Sequence, residues 1–289
     1  MFGKTLNKAC GYTIEKTDML LSQAQIQLFH DRIWSYYYEN KRCFSWRENI
    51  TPYTVFISEV MLQQTQTSRV INKFEEFMGV FPSFSVLAQA PLGDVLRVWQ
   101  GLGYNRRGKF LHQAAQIIQQ DYLGVLPNDP KKLVLLPGIG PATAASVCAF
   151  AFNTPTIFIE TNIRAVFLHI FFPGRTLISD KELLPLIECT LDYNNAREWY
   201  YALMDYGVML KSQYVNPSRR SKHHAVQSKF EGSDRQIRGA IIRLLSGVPG
   251  LTFDQVKEKL GPDNRLEAIL RDLSKEGLIL WHENTIALP

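Results

Sequence analysis

Apolar side chains recur three and four positions apart along most of this chain, the spacing that lines one face of an α-helix. Over residues 21–45 the pattern predicts an amphipathic helix with Leu28, Ile33, Trp34 and Tyr37 on one side. Trp46-Arg47 opens an expected loop that ends near Thr51-Pro52, and a proline suits the first position of the helix expected at 53–67. Further helices are predicted at 69–78, 92–99, 106–121, 130–136, 141–152, 162–171, 180–192 and 196–210. Strand patterns are weak throughout, so 21–210 is read as an all-helical domain behind an N-terminal extension, 1–20. Ser, Lys, Arg, His and Pro dominate 211–233, which reads as a basic linker.

A compact unit is expected at 234–289. A helix spans 234–245, Thr252-x-x-Gln255 is a capping box for a second, and a third covers 264–276 with Gly277 just past its end. Leu278 to His282 and Thr285 to Leu288 then read as two strands around Glu283-Asn284. Three helices followed by a hairpin resemble a winged-helix domain, an α+β unit that binds DNA or other proteins. Arg265, Arg271 and Lys275 on the third helix are offset by Glu267, Asp272 and Glu276. That balance favours a protein partner or weak DNA contact at least as much as sequence reading.

Composition narrows the function classes. The net charge of +5 permits nucleic-acid binding. Arg106, Arg107 and Lys109 cluster after a Gly-Leu-Gly-Tyr turn, and Arg219, Arg220, Lys222, His223 and His224 cluster in the linker. Cys10, Cys43, Cys148 and Cys189 are too scattered for a metal site or a secreted disulfide framework. With neither a signal peptide nor an apolar run long enough for a membrane span, a cytoplasmic, nucleoid-associated protein is expected.

Three segments carry candidate chemistry. In Ile57-Ser58-Glu59-Val60-Met61-Leu62-Gln63-Gln64-Thr65-Gln66 a carboxylate stands among apolar helix formers. Glu59, Gln63 and Gln66 fall at i, i+4 and i+7 and are expected to share a face. A buried Glu59 would have a raised pKa and could serve as an acid; an exposed polar stripe accounts for the spacing equally well. Leu136-Pro137-Gly138-Ile139-Gly140-Pro141-Ala142 reads as a tight turn between helices whose backbone N–H groups suit a phosphate, or as an ordinary turn with a glycine cap. Glu160 lies at the start of the helix at 162–171, either a carboxylate held ionised by the helix dipole or an ordinary first-turn acid.

In order and spacing these segments, with Trp46-Arg47, Thr51-Pro52-Tyr53, Trp99-x-Gly101-Leu102-Gly103-Tyr104 and Asn162, resemble the helix-hairpin-helix DNA glycosylase superfamily, in its adenine DNA glycosylase (MutY-like) branch. The resemblance implies a two-lobed helical fold and removal of adenine mispaired with 8-oxoguanine or G, after the base is flipped out of double-stranded DNA. It assigns Glu59 as the general acid, Glu160 as the carboxylate that stabilises the oxocarbenium-like sugar, and Asn162 as the residue that orients acid and water. It places Arg47, Gln63, Gln64, Tyr104, Arg106, Arg107, Gly138, Ile139, Gly140 and Ala142 against DNA, with Tyr104 wedged into the stack. Lyase-active relatives carry a lysine where this chain has Ala142, so a monofunctional glycosylase is expected; a monomer is expected as well.

Three departures from the family stand out. Glu160 replaces an aspartate, which moves the carboxylate by roughly one C–C bond, about 1.5 Å. The segment that follows the last helix of the domain has none of the four cysteines that hold an iron–sulfur cluster in most relatives, so no cofactor is expected, though the hairpin leaves room for a structural cation. The winged-helix-like unit stands where relatives carry a domain that reads 8-oxoguanine. Excision of another base, such as T or U opposite G, and a catalytically weak lesion-binding role remain as alternatives.

Overall fold

In a computed structural model the described residues are 21–226 and 228–289, so the expected N-terminal extension, 1–20, lies outside them. The helices run α1 (Gln23–Asn40), α2 (Ser45–Glu48), α3 (Pro52–Leu62), α4 (Thr67–Val80), α5 (Phe84–Gln89), α6 (Leu92–Val98), α7 (Arg106–Asp121), α8 (Pro130–Leu133), α9 (Pro141–Phe152), α10 (Thr161–Phe171), α11 (Asp180–Cys189) and α12 (Ala196–Gln213). A 3-10 turn at Pro217–Arg220 leads to α13 (Asp234–Ser246), α14 (Phe253–Leu260) and α15 (Leu266–Lys275). Strands β1 (Leu280–His282) and β2 (Thr285–Ala287) pair antiparallel, with Trp281 opposite Ile286. The described residues are therefore mostly helical, with one small sheet near the C-terminus.

Packing divides the chain into two compact units, each built from two segments. One joins the described residues up to Cys43 with Ala145–Val226. Its centre is α10, in which Ile163, Ala165, Val166, Phe167, Leu168, Ile170 and Phe171 are all buried. Phe29 of α1 meets Phe167 and Phe171 of α10 and Trp199 of α12, with ring centroids 5.1–5.7 Å apart. Each such side chain taken out of water contributes about 1.5–3 kcal/mol, so the start of α10 rests on a rigid support.

The other unit joins Phe44–Ala144 with residues 228–289. Its C-terminal segment has the predicted order of three helices and a hairpin. Ser233 caps α13, and Thr252 forms the expected capping box with Gln255. Gly277, at φ +62°, ends α15 in a Schellman arrangement: Leu278 N–H donates to the Leu273 carbonyl and Gly277 N–H to that of Ser274. Leu96 of α6 is buried in one apolar cluster with Ile241, Leu245, Leu270 and Ile286. The segment thus shares a core with the helices before it.

The structure corrects several sequence expectations. Leu28 is exposed, and Phe29 takes its place in the core of α1. Trp46-Arg47 lies in the short helix α2 rather than a loop. The sequence pattern missed α5, whose six residues between Pro82 and Pro91 are too few to show a period, although Ser83 caps it. The helix predicted at 196–210 continues to Gln213, and Pro217–Arg220 forms a 3-10 turn within the expected basic linker.

Candidate active site

Glu59 sits on α3, whose start is fixed by a reciprocal Thr51/Thr54 capping box and by Pro52 in the first turn. Tyr53, Val55, Phe56, Ile57, Ser58, Val60 and Met61 are buried, and Glu59 is half-buried among them. The helix ends at Leu62, not 67. Gln63 is its C-cap and Gln64 adopts φ +53°, so Glu59, Gln63 and Gln66 do not share a helical face.

Arg107 explains that ending. Its Nη1 donates to the carbonyls of Val60 and Met61, both at 2.9 Å. Its Nη2 donates to Thr65 Oγ1 at 2.8 Å and to the carbonyls of Leu102 and Gly103, each at 3.2 Å. The guanidinium caps α3 and ties it to the Gly101–Tyr104 loop. Burial pushes its pKa down to about 10, still charged at neutral pH. Arg107 therefore braces the end of α3. Arg47 is 6% exposed, with its guanidinium over the Phe44 ring.

The hairpin connects α8 to α9. Gly138 adopts φ +76°, and a Cβ there would lie 2.9 Å from that of Phe110, so both conformation and packing require glycine. Gly140 differs: its φ is ordinary, and a Cβ added there would meet nothing in the protein within 4 Å. Ile139 is buried and anchors the turn, while Gly138, Gly140 and Ala142 are exposed. Gln63 Nε2 donates to the Gly138 carbonyl at 3.2 Å and to Thr143 Oγ1 at 3.1 Å, joining the end of α3 to the hairpin. Gln64 is exposed beside it.

Glu160 is the N-cap of α10. Its Oε1 accepts from the backbone N–H groups of Asn162 at 2.8 Å and Ile163 at 3.1 Å, and Oε2 from Asn162 Nδ2 at 3.3 Å. Capping is ordinarily done by Ser, Thr, Asp or Asn; here the longer side chain folds back onto the helix start. Lys211 Nζ donates to Asn162 Oδ1 at 2.7 Å, which turns the amide nitrogen toward Glu160. Burial lowers the Lys211 pKa, and the nearby Glu160 charge opposes that shift. Gly207, one turn before Lys211, lets α12 approach: a Cβ there would meet the backbone of Asn162 and lie 2.7 Å from its Cβ. Sequence reading missed Lys211 and Gly207, although a glycine inside a helical pattern, four residues from a lysine, marks a close approach.

Tyr104 stands at φ +49°, half-buried, with the Arg107 guanidinium 5.6 Å and the Arg235 guanidinium 5.3 Å from its ring centre. Arg106 is exposed, lies over the Phe110 ring and is 3.8 Å from Glu276. Among the described residues no group of three or more His, Cys, Asp or Glu could hold a metal ion, and none of the described cysteines follows α12. The residues there do not fit an iron–sulfur cluster. No helix among the described residues is long and apolar enough to cross a membrane.

Residues 57–187 match the model of the HhH-GPD superfamily base excision DNA repair protein. The adenine DNA glycosylase of Mycobacterium tuberculosis (strain ATCC 25618 / H37Rv) is 40% identical over 271 residues, covering 85% of this chain and 86% of the relative. The chain belongs to the HhH-GPD superfamily, among homologues of the adenine DNA glycosylases. A second such relative, from Buchnera aphidicola subsp. Baizongia pistaciae, is 31% identical over 185 residues, 63% of this chain and 53% of the relative. The chain thus spans about half the length of the first curated relatives it matches. Among solved structures, a thermostable thymine-DNA glycosylase superposes with a TM-score of 0.57 at 24% identity, covering 64% of this chain and 86% of that one. An endonuclease III–DNA complex superposes with a TM-score of 0.55 at 18% identity, covering 65% and 86%. Both show the HhH-GPD fold.

Proposed function

We propose that this HhH-GPD protein is a monofunctional DNA N-glycosylase of base excision repair that removes adenine mispaired with 8-oxoguanine or G from double-stranded DNA. The likeness to the Mycobacterium tuberculosis adenine DNA glycosylase, over 85% of this chain and 86% of that one, carries the reading. Glu59 supports it as a half-buried carboxyl on a helix capped at both ends. The hairpin supports it too, because Gly140 has no intramolecular reason to be glycine and open space around it suits a DNA backbone.

In the proposed reaction Glu59 gives its proton to the purine ring. The bond between the sugar C1′ and the base then breaks, and its electron pair leaves with adenine. Glu160 offsets the positive charge that develops on the sugar and takes a proton from the water that attacks C1′. Asn162 holds the Glu160 carboxylate through its amide. Ala142 offers no amine, so no Schiff base forms at that position and the product is an abasic site.

The test is single-turnover excision on duplexes carrying A opposite 8-oxoguanine, A opposite G, T opposite G and U opposite G. Alkali-dependent cleavage at adenine alone is expected. Cleavage at thymine or uracil instead would replace adenine as the substrate, and none at any base would leave a binding protein.

A further inference from the structure

The C-terminal segment has no role in the chemistry above, yet one of its side chains reaches a residue implicated in base flipping. Arg235, in the first turn of α13, donates from Nη1 to Tyr104 Oη at 2.6 Å. Its guanidinium carbon lies 5.3 Å from the Tyr104 ring centre and 5.6 Å from that of Phe230. Nη2 donates to the Ser228 carbonyl at 3.0 Å, which fixes the guanidinium from the other side.

Tyr104 needs such support. It follows two glycines at φ +95° and +71° and itself adopts φ +49°, a conformation that costs a non-glycine residue of order 1 kcal/mol. Hydrogen bonds also tie the surrounding segments together: Lys109 Nζ donates to the Glu276 carbonyl, and Arg97 Nε donates to the Ser246 carbonyl at 3.2 Å. Leu96 is sealed into the apolar cluster of α13 and α15, and Gly93 N–H donates to the Pro289 carbonyl at 2.9 Å.

We infer that Arg235 is a positioning residue for Tyr104, and that the C-terminal segment serves base flipping by holding this tyrosine ready for insertion into the DNA stack. The inference rests on the proposed glycosylase reading, since it takes Tyr104 as a DNA-contacting residue. Pinning one rotamer before binding removes the entropy of ordering it on DNA, so the effect belongs to the unstacking step more than to overall affinity.

The experiment places 2-aminopurine beside the target adenine of an A:8-oxoguanine duplex and follows its fluorescence on binding by the full chain. Arg235→Gln and Tyr104→Phe are each expected to reduce the rise about fivefold. The double variant is expected to do no worse than either, the non-additivity of two groups in one contact. Arg238→Gln, on the same helix but with its Nη2 donating to Glu276 Oε2 at 2.5 Å rather than to Tyr104, keeps the full rise. Equal losses in Arg235→Gln and Arg238→Gln would mean general loosening and would overturn the inference. So would a full rise in Arg235→Gln, or no rise with the unsubstituted protein. Excision is read separately: unstacking without excision sinks the glycosylase reading and leaves the role of Arg235 standing.

Discussion

At the scale of single residues, Glu160 is held by a chain of contacts. Its carboxylate folds onto the start of α10, and Lys211 orients Asn162 to meet it. Lys211→Met breaks the chain at its outer end and lets the Asn162 amide turn. Excision is expected to slow by about ten- to a hundredfold, as misplacement of a catalytic group by ~1 Å does, while affinity for DNA changes little. Comparing the single-turnover rate with the dissociation constant checks this; equal losses in both would show that Lys211 contacts DNA instead. Gly207→Ala perturbs the same point through the backbone of Asn162 and is expected to destabilise the fold by about 1–3 kcal/mol, measured by denaturant unfolding.

Among the elements, the two hairpin glycines separate folding from binding. Gly138→Ala forces a left-handed conformation and a clash with Phe110, so it is expected to lower stability by at least about 1 kcal/mol. Gly140→Ala meets nothing and is expected to leave stability unchanged or raise it by about 0.4–1 kcal/mol, yet to weaken binding to duplex DNA. Thermal melting paired with a binding titration distinguishes the two; a Gly140→Ala protein that binds normally removes the hairpin from the DNA contact. Arg107→Met uncaps α3 and leaves buried carbonyls unpaired, a loss of about 3 kcal/mol. Much of this level was legible in the sequence: the positions of α7 and α9, the hairpin, and the Gly277 cap follow from spacing and turn chemistry. The break at Gln63-Gln64 was not, because Leu, Met and Gln all favour helix and the cause lies 44 residues downstream of Gln63, in Arg107. For the same reason the bracing by Arg107 was not legible: composition reports a guanidinium but not the carbonyls it meets.

At the scale of the whole molecule, the chain order hides how the parts associate. Residues 44–144 pack with 228–289, and the described residues before 44 pack with 145–226, so neither unit is continuous in sequence. Local periodicity cannot reveal such pairing. Two histidines report on the stability of these units. Burial lowers the pKa of His112 and of His169 below the ordinary 6.5, so both stay neutral in the fold where the unfolded chain takes up protons. Stability is therefore complete above the unfolded value and falls as pH drops below it. A lower Tm at pH 5.5 than at pH 7.5 is expected, about 2–4 °C for each kcal/mol lost, with a smaller difference in His112→Gln. A Tm independent of pH over that range would contradict it.

Proton donation from Glu59 to adenine is tested by the single-turnover excision rate of Glu59→Gln on an A:8-oxoguanine duplex. Glutamine keeps the shape and removes the proton. A rate lower by about 10²–10⁴ with DNA binding retained is expected. Excision at the unsubstituted rate would contradict it.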